Sequence, residues 1–281
     1  MPEIFTLLLW LLALYGLSLG LAAIILSLFF WYEATNQPCP QIPPPPYRPM
    51  PVLQTCARYF LFHAIRPAIA VAWLCMSKKS PKHSPYPPVV LIHGIFSTRT
   101  SWYFFYKALI ENDFCPSTFG YISLWGSMDA TVARLEKHVQ HIRETTGTTH
   151  VTILAHSLGG VIARYWLAQY PHNYDAVSGL VTLCTPHGGS NISTLLPNPF
   201  AKAVSPNSEV LQSIGAQTYD SFPCVAYATN ADTLVVPAKG LVPPENWKLL
   251  ITPPIDHLEI LSHKKVIKAV VNTLKEIRQP A

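Results

Sequence analysis

The chain has 281 residues, of which 49% are hydrophobic and 12% are charged, and its formal net charge is +5. This length accommodates one domain of about 200 residues with a full core, plus a smaller additional module. The six cysteines have neither the spacing of a metal site nor that of a compact disulfide framework. A small zinc-binding or disulfide-stapled fold is therefore excluded, while the redox compartment stays open.

The first predicted element is a membrane helix. Residues 4–32 form a run of 29 amino acids without a charge, and about 20 apolar residues are enough to cross a bilayer. Trp31 and Tyr32 stand where interfacial aromatic side chains are expected. A cleaved signal peptide, the alternative, would have a basic start and a shorter apolar core. The sequence therefore predicts a retained single-pass anchor over residues 1–35.

Residues 36–85 are predicted to connect this anchor to the rest of the chain. Residues 36–51 are rich in proline and are expected to be extended and semi-rigid. Residues 52–76 are apolar, but Arg58, His63, Arg66 and Pro67 interrupt them. This pattern favours a helix on the membrane surface over the alternatives, which are a segment covering the folded domain and a second span.

The positive charge is concentrated beside the anchor. Residues 33–87 carry six Lys or Arg against a single Glu, whereas residues 88–281 carry 14 basic and 13 acidic residues. Such a segment suits an anionic membrane surface and gives no reason to expect nucleic acid as a partner; a solvated linker is the alternative. The positive-inside rule then predicts that the rest of the chain lies on the cytoplasmic side.

Residues 86–281 alternate between predicted strands and helices, which indicates an α/β domain with a six-stranded parallel sheet and helices on both faces. Residues 191–213 lack a strong pattern, so they are expected to form either a lid or wall of a site or a plain surface excursion. The strands are predicted near 88–92, 119–124, 150–155, 178–184, 223–228 and 247–251, and the helices near 100–111, 129–145, 158–169 and 263–278.

A serine stands at the junction of one predicted strand and the next helix, in the stretch VTILAHSLGG. A chain that passes from strand to helix with almost no loop makes a sharp turn, and the residue at its apex is strained and exposed. Ala155 and Gly159 lack side chains that would collide across such a turn, and Gly160 lets the helix lie close to the strand. With His156 before it, Ser157 is therefore a candidate nucleophile; an incidental serine in a joint is the alternative.

A serine nucleophile needs hydrogen-bond donors for the oxyanion that forms when it attacks. His93 and Gly94 end the first predicted strand, and glycine allows the backbone to turn so that the N–H of Ile95 points at a reacting carbonyl. The N–H of Leu158, at the start of a helix, is the second candidate donor. A simple turn at the end of a strand is the alternative interpretation of His93 and Gly94.

The serine also needs a base and an acid that orients it. Asp232 follows the predicted strand at 223–228, and His257 lies in a loop between the last strand and the last helix. Asp175 and Asp220 precede strands, while Asp256 is too close to His257 along the chain to face its imidazole. The predicted triad is therefore Ser157, Asp232 and His257, in the chain order of α/β-hydrolases.

These residues resemble those of bacterial triacylglycerol lipases and esterases of the α/β-hydrolase superfamily that have an Ala-His-Ser-Leu-Gly elbow. The resemblance rests on VVLIHGIFS, AHSLGGVIARYWL, TLCTPHGGS, SPNSEVLQSI, Asp232 before Val-Val-Pro, and His257, and it covers nearly all of residues 86–281. It implies a compact α/β-hydrolase fold with a mostly parallel six-stranded sheet, preceded here by a transmembrane helix.

The resemblance also implies cleavage of acyl esters of lipids through an acyl-enzyme, with Ser157 as nucleophile, His257 as base, Asp232 as its orienting acid, and Ile95 and Leu158 as oxyanion donors. His187 is expected to order its loop rather than to act as a second base. No paired aspartates suggest a calcium site, so neither a metal nor a cofactor is expected.

The expected location is a membrane, specifically the bacterial inner membrane, with membrane lipids as substrate and surface. The alternatives are a phospholipase A, an acyltransferase or thioesterase on the same triad, and a non-catalytic protein that binds lipid or a partner. The oligomeric state stays open.

Overall fold

The computed structural model of the protein describes residues 2–44, 84–215 and 219–277, together with Ile69 and Trp73. Helix α1 spans Pro2–Asn36. Within these residues it is the one helix long and apolar enough to cross a membrane, with a mean hydropathy of 2.3. A signal sequence near an N-terminus meets the same criteria, so the helix predicted over residues 1–35 is present and fits either role.

In the residues that the structure describes, six strands, numbered in chain order with the bounds given below, form a sheet in the order β2-β1-β3-β4-β5-β6. Every neighbouring pair is parallel, as the alternation of strands and helices predicts. The central strands are buried along their whole length, because helices cover both faces of the sheet. The strands are β1 (Val89–Ile92), β2 (Pro116–Phe119), β3 (Val151–His156), β4 (Val177–Leu183), β5 (Cys224–Ala228) and β6 (Lys248–Ile251).

The prediction of a strand over residues 119–124 is wrong. Strand β2 ends at Phe119, where the predicted strand begins, and residues 120–127 form a loop. Phe119 and Tyr121 of the predicted strand are buried in the core, but Ile122 and Leu124 are more than half exposed. Their hydrophobicity therefore belongs to a surface feature and not to the sheet.

The helices pack on two sides of the sheet. Val90 and Ile92 face the side covered by α3 (Met128–Thr146) and α4 (Leu158–Gln169). Val89 and Leu91 face the side covered by α2 (Tyr103–Ile110) and α7 (Lys264–Glu276). Alternate residues of a strand point to opposite faces, so one short strand contributes to both halves of the core. The helices are α2 (Tyr103–Ile110), α3 (Met128–Thr146), α4 (Leu158–Gln169), α5 (Pro199–Ala203), α6 (Glu209–Ile214) and α7 (Lys264–Glu276).

Helix α3 shows why the sequence predicted these helices well. Its N-cap Ser127 accepts a hydrogen bond from the N–H of Ala130, and the left-handed Gly147 ends the helix. The predicted stripe of Val132, Leu135, Val139 and Ile142 is buried. Helix α7 buries Val266, Val270 and Leu274 in the same way.

Part of the predicted linker packs against the α/β domain. Cys39 and Ile42 are buried in the core on the α2 and α7 side, and the Trp73 ring meets Tyr106 edge to face, with 4.8 Å between centroids. The interfacial helix predicted over residues 52–76 otherwise lies outside the described residues. Trp73 itself packs against the folded domain, which agrees at this residue with the alternative of a segment that covers the domain.

Candidate active site

Ser157 lies at the apex of the turn between β3 and α4. Its backbone has φ 55° and ψ −127°, a conformation that L-residues adopt only where the surroundings enforce it. Three hydrogen bonds do so: the Ser157 N–H donates to the carbonyl of Leu183 at 2.9 Å, and the Ser157 carbonyl accepts from the Thr185 hydroxyl at 3.1 Å and from the N–H of Gly160. The neighbouring strand β4 and the loop after it thus hold the serine in place.

Three glycines permit this turn, although not in the way the sequence suggested. A Cβ at Gly159 would lie 2.3 Å from the carbonyl oxygen of Ile92, so Gly159 makes the close approach to strand β1. Gly160, predicted to let the helix lie close to the preceding strand, instead faces the Thr185 side chain, whose Oγ1 would be 2.1 Å from a Cβ. A Cβ at Gly94 would lie 2.9 Å from the Cβ of Ser157. Ala155, before the turn, is fully buried in β3.

His257 and Asp232 form a buried hydrogen-bonded pair. The Nδ1 of His257 donates to Oδ2 of Asp232 at 2.6 Å, and both side chains are almost fully buried. The other carboxylate oxygen of Asp232 accepts from the backbone N–H groups of Leu234 and Val235 at 2.9 and 2.8 Å. With these bonds, the carboxylate fixes the imidazole so that its Nε2 carries a lone pair.

The electrostatics of this pair favour a base that can hold a proton. Burial alone would lower the pKa of His257, but the charge and hydrogen bond of Asp232, together with the charge of Asp256, raise it above its ordinary value. Asp256 is directed elsewhere, since its carboxylate accepts from the Leu258 N–H and the Thr233 hydroxyl. Burial raises the pKa of Asp256. As expected from its place in the chain, Asp256 does not bond the imidazole.

Cys184 is a neighbour of this pair that the sequence did not single out. The Cys184 Sγ, one side-chain ligand atom of Asp232 and one of His257 all lie within 4.8 Å of one another. Burial and the charge of Asp232 raise the pKa of the thiol well above its ordinary value, so it stays protonated. Metals bind thiolates, and the facing atoms of Asp232 and His257 are already bonded to each other. The cluster therefore suits a hydrogen-bonded triad better than a metal ion.

The two candidate oxyanion donors, Ile95 and Leu158, line the same cavity as Ser157. Leu158 is the first residue of the helix, so its N–H has no acceptor within the helix. Ile95 lies beside the same cavity as Ser157, and the next residue, Phe96, has a left-handed φ of 51°. The N–H of Phe96 donates to the Ser123 hydroxyl at 2.7 Å, which holds this strained turn in place.

His93 supports the turn that carries Ile95. Its ring stacks on Tyr121 with 4.3 Å between centroids, and its carbonyl accepts from the Tyr121 hydroxyl at 2.8 Å. Its Nδ1 lies 2.9 Å from the carbonyl of Gly94, which makes Nδ1 the protonated nitrogen. His93 is thus a structural histidine of the turn.

His156 supports the loop that carries His257. Its Nε2 donates to the backbone carbonyl of His257 at 3.0 Å, across 101 positions of the chain. Burial and the charge of His257 hold the pKa of His156 well below its ordinary value. A neutral His156 therefore fixes the position of His257 without competing with it as a base.

His187 is held away from the triad. Its Nδ1 accepts from Arg164 at 3.3 Å, and its Nε2 lies 3.2 Å from the Thr182 hydroxyl. Burial and the charge of Arg164 keep its pKa well below its ordinary value. This arrangement agrees with the interpretation that His187 orders its loop.

Ser157 and His257 line one cavity of about 340 Å³. Segment 191–213, predicted to be a lid, a wall or a surface excursion, supplies one side of the cavity with Ile192, Ser193, Leu196, Ala201 and Val204. Leu234 and Val235 line another part of the cavity. The space beside the serine is thus predominantly apolar and suits a hydrocarbon chain.

Exposed apolar side chains lie on loops that are hydrogen-bonded to the region of the cavity wall. The loop of residues 122–125 is hydrogen-bonded to segment 191–213, because the Asn198 amide donates to the carbonyls of Ser123 and Leu124 at 2.9 and 3.0 Å. Trp125 is 65% exposed. We define the apolar rim as Phe96, Ile122, Leu124, Trp125 and Leu195, whose side chains are all exposed.

The end of helix α1 contacts the same cavity wall. The Glu33 carboxylate is buried and accepts hydrogen bonds from the side-chain amides of Asn191 at 2.9 Å and Gln37 at 2.7 Å. Asn191 begins the short helical turn that continues through the cavity-lining Ile192. The N-terminal helix and the wall of the cavity are therefore directly connected.

Comparison with known proteins agrees with this architecture. A family model described as the alpha/beta hydrolase fold matches residues 87–213. A triacylglycerol lipase of Pseudarthrobacter phenanthrenivorans is 27% identical over 114 residues, which are 38% of this chain and 35% of that protein. A triacylglycerol lipase of Burkholderia plantarii is also 27% identical over 114 residues, covering 38% of this chain and 31% of the relative. The matched region spans about a third of the length of these curated relatives.

Solved structures of lipases have a similar fold. The mature Bacillus licheniformis lipase BlEst2 superposes with a TM-score of 0.59 at 18% identity, over 68% of this chain and 94% of that chain. Aspergillus fumigatus lipase B gives a TM-score of 0.58 at 16% identity, over 68% of this chain and 52% of that chain. The chain therefore has the α/β-hydrolase fold, and its residues 87–213 resemble that family.

Proposed function

We propose that the protein is a serine hydrolase that cleaves carboxylic esters of lipids through an acyl-enzyme. The observation that carries this proposal is that Ser157 and the Asp232-paired His257 line the same apolar cavity. A strained serine, a histidine with a raised pKa and a buried carboxylate are the three parts of an activated nucleophile. The triacylglycerol lipases that the chain resembles support an ester as substrate.

The proposed reaction begins when Ser157 Oγ attacks the ester carbonyl carbon and its proton passes to Nε2 of His257. The Asp232 carboxylate stabilises the imidazolium through the bond from Nδ1. The N–H groups of Leu158 and Ile95 donate to the oxyanion. The tetrahedral intermediate then collapses: the alcohol leaves with the proton from His257, and the acyl group stays on Ser157.

The second half of the reaction repeats this chemistry with water. His257 takes a proton from a water molecule, and the resulting hydroxide attacks the acyl carbonyl carbon. The second tetrahedral intermediate releases the fatty acid, and Ser157 recovers its proton from His257. An alcohol in place of water would give acyl transfer on the same residues.

We propose that α1 anchors this enzyme in a membrane and that membrane lipids are its substrates. Three observations support this: the length and hydropathy of α1, the bond between Glu33 and Asn191, and the exposed apolar rim. Exposed apolar patches beside a binding cavity are typical of surfaces that meet a membrane. An anchor at this position raises the local concentration of lipid esters at the cavity. The basic residues of positions 33–87 favour the cytoplasmic side.

The test is ester hydrolysis by the full chain in neutral detergent, with p-nitrophenyl esters of short and long acyl chains. We expect turnover that is abolished in Ser157→Ala and His257→Ala and is retained in Ser213→Ala, which changes an exposed serine of α6. Turnover that persists in Ser157→Ala would overturn the assignment of the nucleophile. Activity that survives His257→Ala but disappears in His187→Ala would overturn the assignment of the base. Correctly folded protein without turnover on any ester would favour a lipid-binding role.

A further inference from the structure

A second cavity lies at the edge of the sheet, beside strand β2 and away from the triad. Its volume is about 430 Å³, and its lining includes Arg99, Arg134, Lys137 and His138. The other lining residues are Thr118, Phe119 and Gly120, so none of the lining residues is acidic. We propose that this cavity binds the phosphate group of a phosphate ester.

A hydrogen bond holds the Arg134 guanidinium, and the Arg99 side chain packs against the neighbouring backbone. Arg134 donates from Nη2 to the carbonyl of Gly120 at 3.0 Å, and its guanidinium lies over the Phe119 ring, 6.0 Å from the centroid. Arg99 lies against the backbone at Gly120, where a Cβ would be 2.9 Å from its Cδ and Nε. A guanidinium whose position is already fixed loses less conformational entropy when it binds an anion.

The positive charges of the cavity are not neutralised by the described part of the chain. In the described residues, ion pairs join Lys107 to Glu111, His172 to Glu136 and His257 to Asp232. None of these ion pairs includes Arg99, Arg134 or Lys137. These three cations repel one another, and a bound anion would relieve that repulsion.

His138 adds a neutral side chain to the lining of the cavity. Burial and the charges of His141 and Arg99 lower its pKa to about 4. It is therefore neutral at physiological pH and lies with Nε2 3.2 Å from the Ser117 hydroxyl. A neutral ring can donate to an anion or accept from it, while the three permanent charges supply the attraction.

Phosphate fits these side chains better than a carboxylate does. It carries up to two negative charges and several acceptor oxygens, which match two arginine forks and a lysine. The Thr118 hydroxyl adds a neutral donor to the lining. A carboxylate would leave at least two of the three charges unbalanced.

Two sources of phosphate are compatible with this cavity: a small phosphorylated metabolite and the headgroup of a phospholipid. Gly120, which lines the cavity, is two residues before Ile122, a member of the exposed apolar rim. A phospholipid headgroup in the cavity would thus have its hydrocarbon next to exposed apolar side chains. Both sources share the phosphate ester, and the experiment separates them.

The experiment is isothermal titration of the full-length Ser157→Ala protein in neutral detergent, so that no ester is cleaved during the measurement. Three probes are compared: inorganic phosphate, dihexanoyl phosphatidic acid, and dihexanoylglycerol, which lacks phosphate. We expect saturable binding of the first two in the cavity. The double change Arg99→Gln with Lys137→Gln should weaken both by at least about tenfold, the effect of losing one charge-assisted hydrogen bond.

The matched control is Lys265→Gln with Lys268→Gln, which removes two exposed lysines of α7 and should leave the affinities unchanged. Tighter binding of phosphatidic acid than of inorganic phosphate would identify a lipid headgroup site, and equal affinities would identify a site for small phosphate compounds. Absence of saturable binding of both phosphate probes would overturn the proposal. Equal affinities in the cavity variant and the control would also overturn the proposal. Folding of the cavity variant is checked in a protein that has Ser157 restored and carries Arg99→Gln and Lys137→Gln, which should retain esterase activity.

Discussion

Replacement of Asp232 by Asn removes the charge that faces His257 while it preserves the size of the side chain. In the native site one carboxylate oxygen accepts from His257 and the other from the N–H groups of Leu234 and Val235. An amide has only one acceptor oxygen, and the two backbone donors would retain it. The amide NH2 would then face the imidazole and force Nδ1 to accept a hydrogen bond.

This reversal places the imidazole proton on Nε2, where His257 cannot take the proton of Ser157. We expect kcat to fall by about 10⁴, the loss seen when a triad acid becomes an amide. This corresponds to about 5.4 kcal/mol of transition-state stabilisation. Circular dichroism and thermal unfolding should show a folded protein, because the two backbone N–H groups keep an acceptor.

The pH dependence of Asp232→Asn should also change. The base acts when neutral, so the kcat/KM of the native enzyme falls as pH drops through the raised pKa of His257. Without the Asp232 charge, burial lowers that pKa, and the residual activity of the variant should fall at a lower pH than in the native enzyme. Initial rates on p-nitrophenyl butyrate from about pH 5 to about pH 9 measure both effects.

The matched control is Asp175→Asn, an exposed carboxylate before β4, which should leave kcat and its pH profile unchanged. A kcat for Asp232→Asn within tenfold of the native value, or an acid limb that does not move, would refute the reasoning.

Three further changes test other parts of the account. Gly159→Ala would put a methyl group 2.3 Å from the Ile92 carbonyl oxygen, where neither backbone can yield. We therefore expect the free energy of unfolding to fall by about 3 kcal/mol in thermal or urea unfolding. A variant with native stability would contradict the packing argument. Glu33→Ala breaks the hydrogen bond to Asn191 at the cavity wall and should raise KM for long-chain esters several-fold. Glu33→Gln keeps an acceptor and should change KM little. Equal effects of the two variants would refute the connection between helix α1 and the cavity wall. Trp125→Ser should lower turnover of esters embedded in vesicles but not of soluble p-nitrophenyl butyrate, and a parallel loss on both substrates would contradict a membrane role for the apolar rim.

The sequence predicted the sheet well because buried parallel strands have a clear signature. Val89–Ile92 and Val151–His156 are short, apolar runs that are buried on both faces. The same signature misled at residues 119–124, where part of an apolar run belongs to the exposed apolar rim. Hydrophobicity marks burial against protein and exposure to a membrane alike, so this segment could not be assigned from its composition.

The predicted triad residues and the residues beside the turn could be chosen from local patterns, whereas the long-range contacts of the supporting residues could not. Ser157 follows β3 in a turn with a recognisable spacing of small residues, and Asp232 and His257 follow later strands. Cys184 and His156 act through contacts that no spacing reveals: the bond from His156 to His257 joins residues 101 positions apart. The contact of Gly160 with Thr185 has the same origin, since it depends on how α4 lies against a neighbouring loop.

The most direct test of the central claim is covalent labelling of the detergent-solubilised chain with a fluorophosphonate, followed by mass spectrometry of its peptides. An activated serine attacks phosphorus and displaces fluoride, whereas an ordinary serine does not react. We expect a single phosphonylated residue, Ser157, and loss of the label in His257→Ala, which leaves Ser157 in place. Label on another serine, or an unlabelled Ser157 in folded native protein, would contradict the central claim.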